Sequence, residues 1–185
     1  MAYSADVERA LLACMRAHGG QFRKGGDEVP YAVHPIHMAL ILSRAGASDA
    51  LIQAALLHDV VEDCEDWTDE RLRSEFGDEV AQIVEQLTED KSLSWTERKT
   101  WAMEHVSEMT QDAIFVKAAD KLHNLESLAA QLEEAADTAD VWKHFTGGRE
   151  RTLEMSRGLV DVLSGHLPEA LSRALDAAMT RVERA

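Results

Sequence analysis

Four side chains suited to holding a metal ion are spread along this chain: His34, the adjacent pair His58 and Asp59, and Asp120. Two imidazoles and two carboxylates can bind a divalent cation and still leave coordination positions open for water, as a hydrolytic metal site requires. The segment Leu56-Leu57-His58-Asp59-Val60-Val61-Glu62-Asp63 follows Ala54-Ala55 and reads as helix, with His58 and Glu62 one turn apart and Asp59 and Asp63 likewise. Asp59, Glu62 and Asp63 fall within five residues after so apolar a run that, partly buried, they would repel one another and call for a cation. A lone His-Asp pair is more often a solvated acidic helix end. The two distant partners reverse that balance.

His34 precedes Pro35, which suits the first position of a helix, so His34 is expected at the boundary just before it. Alone it would more often be a cap or a satisfied core histidine than a ligand. Asp120 stands in Ala113-Ile114-Phe115-Val116-Lys117-Ala118-Ala119-Asp120-Lys121-Leu122, a stretch apolar enough for a central helix, where an aspartate is rarely buried without a partner. The plain alternative is an ion pair from Asp120 to Lys117 or Lys121 on the same helix. His37, His105 and His123 supply no second adjacent histidine pair, so a one-metal site is favoured.

The elements that must carry these groups read as helices joined by short breaks, an all-α fold of about eight to ten helices in a single domain over residues 1–185. Apolar periodicity predicts helices at 5–18, 35–45, 49–63, 68–76, 78–88, 95–109, 111–131, 138–145, 149–164 and 168–183. Gly19-Gly20, Gly46 and Gly77 supply stops, and Ser94 with Glu97 has capping-box spacing. A glycine-rich loop from Gly20 to Pro30 carries Arg23 and Lys24, and its glycines would let backbone approach a ligand. Glu133-Glu134 and the alanines up to Asp140 are expected to form a mobile connection. Cys14 lies on an apolar helical stripe with Val7, Ala10 and Leu11, while Cys64 merely follows the acidic pair, and their separation suggests neither a disulfide framework nor a thiolate site.

The order of these residues resembles the HD-domain metal-dependent phosphohydrolases. The intervening text is similar to the hydrolase domain of the RelA/SpoT homologues, especially the single-domain small alarmone hydrolases of the metazoan SpoT-homologue kind. The similarity runs from about Arg23 to Leu128: Arg23-Lys24 ahead of Pro30-Tyr31 and His34-Pro35, then His58-Asp59 with Glu62-Asp63, Phe76-Gly77-Asp78-Glu79-Val80, and Val84-Glu85-Gln86-Leu87-Thr88. Asp90-Lys91-Ser92-Leu93, Glu97-Arg98-Lys99 and Val116-Lys117-Ala118-Ala119-Asp120-Lys121-Leu122-His123-Asn124-Leu125 complete it. An HD dipeptide alone is a weak signal; this ordered series is a strong one.

The resemblance implies a helical HD-domain bundle and hydrolysis of the 3′-pyrophosphate of guanosine tetra- and pentaphosphate to GDP or GTP and pyrophosphate, with one divalent metal ion, usually manganese. By position it implies that His34, His58, Asp59 and Asp120 are metal ligands and that Glu62 and Asp63 are the catalytic pair. Arg23 and Lys24 match a basic pair near the guanine pocket, and Asn124 and Ser127 match the nucleoside site. The chain departs from the pattern at Ala102, where a glutamine is expected, at Glu126, where a basic residue is common, and at Ser127, where threonine is common. These departures bear on substrate preference more than on metal chemistry. Two other readings stay open: an HD phosphohydrolase acting on a deoxynucleoside monophosphate or an NADPH phosphate, and a nucleotide sensor without turnover, against which the retention of Glu62 and Asp63 argues.

Composition narrows the partners. A net charge of −15 argues against general affinity for nucleic acid or an anionic membrane. A polyanionic nucleotide must then be drawn by local charge, for which Arg23, Lys24, Lys91, Arg98, Lys99, Lys117 and Lys121 are candidates, about half of them being expected on ordinary solvated helix surface. The chain has no basic, apolar leader and no run long enough to span a bilayer, so a stand-alone cytoplasmic enzyme is expected.

Overall fold

The computed structural model describes residues 3–24 and 28–185. Its helices are α1 (Ala5–Ala17), α2 (Val33–Arg44), α3 (Asp49–Leu57), α4 (Val60–Asp63), α5 (Asp69–Phe76), α6 (Asp78–Glu85), α7 (Trp95–Glu104), a 3-10 turn (Val106–Glu108), α8 (Gln111–Glu134), α9 (Thr138–Trp142), α10 (Gly148–Ser164) and α11 (Glu169–Arg184). The fold is all-α. The described residues contain no strand, only an isolated antiparallel bridge between Phe22 and Pro30. Gly25 and Gly26 of the glycine-rich loop lie outside the described residues.

The helix expected over 49–63 is divided into α3 and α4. The helix expected from 111 runs on through Glu134, so Glu133-Glu134 belong to α8, and α9 begins already at Thr138. α2 starts two residues earlier than Pro35 suggested. Proline is tolerated there because backbone N–H groups in the first turn have no helical partner to lose.

The chain forms two compact units, one of residues 1–88 and 115–120, the other of 89–114 and 121–185. In the first, α3 packs against α1, α2 and α6, and α5 packs against α6. The composition of α3 accounts for its place: Leu51, Ala54, Ala55, Leu56 and Leu57 are all buried, and a helix apolar on nearly every face must be surrounded. Ser48 starts it, its hydroxyl accepting the Leu51 N–H. Gly77, at φ +88°, turns the chain between α5 and α6 in a conformation that side-chain-bearing residues rarely adopt. The buried turn Val116-Lys117-Ala118-Ala119 of α8 completes this unit.

In the second unit α10 packs against α7 and α11. Arg157 of α10 reaches Asp176 and Glu183 of α11, each at 2.6 Å. Arg181 of α11 pairs with Glu126 and, at 2.8 Å, with Glu133. Glu126, acidic where a basic residue was expected, therefore serves an ion pair within the unit. Ala102, in place of the expected glutamine, is buried.

A close approach in this unit gives a stability test. A Cβ added at Gly147 would lie 2.6 and 2.9 Å from ring carbons of Trp95, whereas one added at Gly158 would meet the flexible sulfur of Met103 at 2.8 Å. Gly147→Ala is expected to lower the free energy of unfolding by about 1–3 kcal/mol through overpacking. Gly158→Ala should be near neutral, because a helix gain of about 1 kcal/mol offsets the displaced thioether. Urea denaturation of both variants checks the contrast.

Candidate metal centre

The centre is built where α3 ends. A continuous helix would bring the Asp59 N–H to the Ala55 carbonyl, but the His58 side chain takes that carbonyl instead, with Nδ1 at 2.9 Å. His58 and Asp59 therefore occupy a turn rather than the helix interior predicted for them. The expected one-turn relation survives for Asp59 and Asp63, whose backbones are joined by a 2.8 Å hydrogen bond. The same bond at Ala55 places the proton on His58 Nδ1, since a carbonyl oxygen only accepts. His58 Nε2 then faces Asp59 Oδ2 at 2.9 Å.

His34 comes from the first turn of α2, is almost wholly buried, and directs Nε2 to Asp120 Oδ1 at 3.1 Å. Its ring lies edge-on to that of His58, with centroids 5.2 Å apart. One donor atom each from His34, His58 and Asp120 fall within 4.8 Å of one another. Asp59 joins them through His58. Asp120 thus faces an imidazole on another helix as well as the buried Lys117 on its own, which goes beyond the plain same-helix ion pair.

The charge balance suits a cation. An imidazole lone pair pointed at a carboxylate needs a proton or a metal ion between them. Burial alone would lower the basicity of His58, but Asp59 at 2.9 Å and the nearby Asp120 outweigh it and carry the pKa up to about 9. Burial keeps His34 below its ordinary value, against the pull of Asp120. Burial would raise Asp59 and Asp120, yet their imidazole partners hold both carboxyls below the usual range. Donors about 3 Å apart match adjacent ligands on an ion bound at roughly 2.1 Å. The residues present fit a divalent metal.

Nothing in the sequence around Tyr31 marks it as part of the centre, yet its hydroxyl donates to Asp59 Oδ2. Burial, together with the Asp59 charge, holds its phenol far above the ordinary value, so it remains a donor. The guanidinium of Arg23 lies over the Tyr31 ring at 5.8 Å from its centroid, and Lys24 is exposed. Glu62 is half-buried and Asp63 exposed on α4. Asn124 and Ser127 follow Asp120 along α8 in the second unit and are half-buried.

The other basic candidates divide. Arg98 and Lys99 both bind Glu89, at 3.0 and 2.6 Å, and Lys121 donates to Ser156 at 2.8 Å. His37 is exposed, His123 is buried, and His105 stacks on Trp101.

Known proteins share this arrangement of sequence and fold. An HD-domain sequence profile matches residues 10–152. The chain is 41% identical over 163 residues to guanosine-3′,5′-bis(diphosphate) 3′-pyrophosphohydrolase MESH1 of Xenopus tropicalis, covering 87% of this chain and 89% of that protein. It is 44% identical over 144 residues to the MESH1 of Homo sapiens, covering 77% and 80%. A solved structure described as a metazoan orthologue of SpoT that hydrolyses ppGpp and plays a role in starvation responses superposes with TM-score 0.84, at 31% identity, over 98% of this chain and 97% of that one.

The geometry generates two expectations. Tyr31→Phe removes the donor that orients Asp59 and should weaken metal binding by about 10- to 100-fold with little change in fold, as measured by calorimetric titration. The second concerns pH. His58 is raised from 6.5 to about 9, so its contribution to folding in metal-free protein is complete below pH 6.5 and is lost as pH rises through 9. Over the same interval a metal has less proton to displace and should bind more tightly. Urea denaturation and metal titration across that range, with metal-loaded protein spared the loss of stability, check both signs.

Proposed function

We propose that this chain, which belongs to the HD-domain family, hydrolyses the 3′-pyrophosphate of guanosine tetra- and pentaphosphate and releases pyrophosphate with GDP or GTP. The observation carrying this reading is 41% identity to a guanosine-3′,5′-bis(diphosphate) 3′-pyrophosphohydrolase over 87% of the chain, coinciding with a buried His34, His58 and Asp120 cluster that could hold a metal. The two units are taken to work as one phosphohydrolase domain over residues 1–185, supported by a family match that spans residues of both.

His34, His58, Asp59 and Asp120 would hold one divalent ion, manganese by the resemblance to the alarmone hydrolases. When bound, such an ion supplies Lewis acidity and lowers the pKa of water. Glu62 orients the attacking water and takes its proton at a carboxylate oxygen, while Asp63 assists proton transfer. The water oxygen bonds to the phosphorus attached to the ribose 3′-oxygen, that P–O bond breaks, and the 3′-oxygen leaves with a proton. Arg23 lies against the purine, Lys24 meets phosphate, and Asn124 and Ser127 face the nucleoside. These substrate contacts are supported by the resemblance alone. No helix among the described residues is long and apolar enough to cross a membrane; a cytoplasmic location, and a small nucleotide rather than nucleic acid or lipid as partner, belong to the same proposal.

Product analysis after incubating manganese-loaded protein with guanosine tetraphosphate tests the proposal. Equimolar GDP and pyrophosphate are expected; an intact tetraphosphate alongside turnover of another phosphorylated nucleotide would overturn it. Glu62→Gln preserves shape but cannot accept the proton, so kcat should fall on the order of 10² to 10⁴ while bound metal, measured by elemental analysis, is retained.

A further inference from the structure

A set of polar contacts in the first unit joins the end of α1 to the acidic turn α4. The side-chain amide of Gln21 donates from Nε2 to the Asp63 carbonyl at 3.1 Å, and its Oε1 lies 2.7 Å from His18 Nδ1. Because the Asp63 carbonyl can only accept, it fixes which end of the amide faces α4, and the remaining oxygen calls for a proton on His18 Nδ1. His18 is buried and its Nε2 has no hydrogen-bond partner among the described residues, so the ring is anchored in polar terms through Nδ1. The main chain of Gln21 is also held, its carbonyl accepting the Tyr31 N–H at 2.9 Å and its N–H donating to the His18 carbonyl at 3.1 Å.

The same stretch reaches the acidic segment a second time. The His18 and Tyr31 rings lie 4.7 Å apart, and the Tyr31 hydroxyl donates to Asp59. Residues 59–63 are therefore gripped at both ends, by Tyr31 on the Asp59 side chain and by Gln21 on the Asp63 main chain. Glu62 sits between these points. α4 is four residues long, too short to hold its own direction.

We propose that Gln21, oriented by His18, is a positioning residue for the hydrolysis: it fixes the main chain at Asp63 and with it the direction in which the Glu62 and Asp63 carboxylates point. This rests on the reading of those carboxylates as the groups that handle the proton. Small displacements of such groups are costly, a shift of about 1 Å being worth up to roughly 10²-fold in rate.

Two variants test it. Gln21→Met keeps length and bulk but neither hydrogen bond. Gln21→Glu, when ionised, turns an acceptor toward the Asp63 carbonyl, and regains a donor only when protonated. Both are compared with wild type and Asp63→Asn for manganese-dependent turnover of guanosine tetraphosphate, metal content, and amide hydrogen exchange of residues 60–64 in metal-free protein. For Gln21→Met we expect kcat to fall by about 10- to 100-fold, with KM and metal content close to wild type and faster exchange in 60–64. For Gln21→Glu the deficit relative to wild type should narrow as pH falls and the carboxyl gains its donor proton.

Unchanged kcat and unchanged exchange in Gln21→Met would overturn the proposal. So would joint loss of metal, KM and thermal stability in both variants, which would make Gln21 a purely structural residue. A wild type inert on guanosine tetraphosphate, or a fully active Asp63→Asn, would instead overturn the reading of the site. The exchange measurement would in that case still decide whether Gln21 holds residues 60–64.

Discussion

In an uninterrupted helix the Ala55 carbonyl would receive a backbone N–H; here it receives the Nδ1–H of His58. That exchange stops α3 at Leu57, sets the tautomer of His58, and turns its other nitrogen toward Asp59 rather than along the helix surface. The bond meets a physical need, because α3 is buried on almost every face, leaving the end of the helix no solvent to satisfy its last carbonyls. His34 and Asp120 are then brought to the same place by helices that pack for ordinary apolar reasons. A hydrogen bond of modest net worth decides where four ionisable side chains can meet, while the hydrophobic contacts around it supply the rigidity.

An acidic protein that buries carboxylates must compensate for them locally. Among the described residues the cluster does so in part with a proton on His58, whose raised pKa is the expression of that need. Exchange of this proton for a cation satisfies the same charges with a stronger partner. Some of the positive side chains are committed to protein partners rather than to phosphate, Arg98 and Lys99 to Glu89 and Lys121 to Ser156. Arg23 and Lys24, beside the glycine-rich loop, remain the clearer candidates for recognising a polyanion.

Much of this was legible in the chain itself, because the signals were local and periodic. The capping box at Ser94 and Glu97 forms as its spacing indicated, Cys14 is core, and helix limits fall within a few residues for most elements. His34, His58 and Asp120, far apart in sequence, do come together. What escaped depended on side chains competing with backbone or reaching across the fold. No periodicity announces that His58 will capture the Ala55 carbonyl, and the break in 49–63 follows from that capture. Tyr31 and Gln21 look like loop residues in sequence; their partners at Asp59 and Asp63 lie 28 and 42 positions away. Glu126 could be seen to be unusual, but its use became visible only with Arg181 beside it.

The path of the chain through its two units carries a further consequence. Residues 115–120 belong with the N-terminal unit although both flanking stretches of the same uninterrupted α8 belong to the other. Two of the three crossings between the units therefore pass through continuous helical backbone, the third falling between Thr88 and Glu89, outside any helix. Neither unit can be excised as a contiguous fragment, and a truncation placed after Thr88 would discard the turn that carries Asp120. Such a fold resists modular shuffling: recombination at the gene level would have to transfer the centre and its surroundings as one inheritance, or break the helix that contributes its carboxylate.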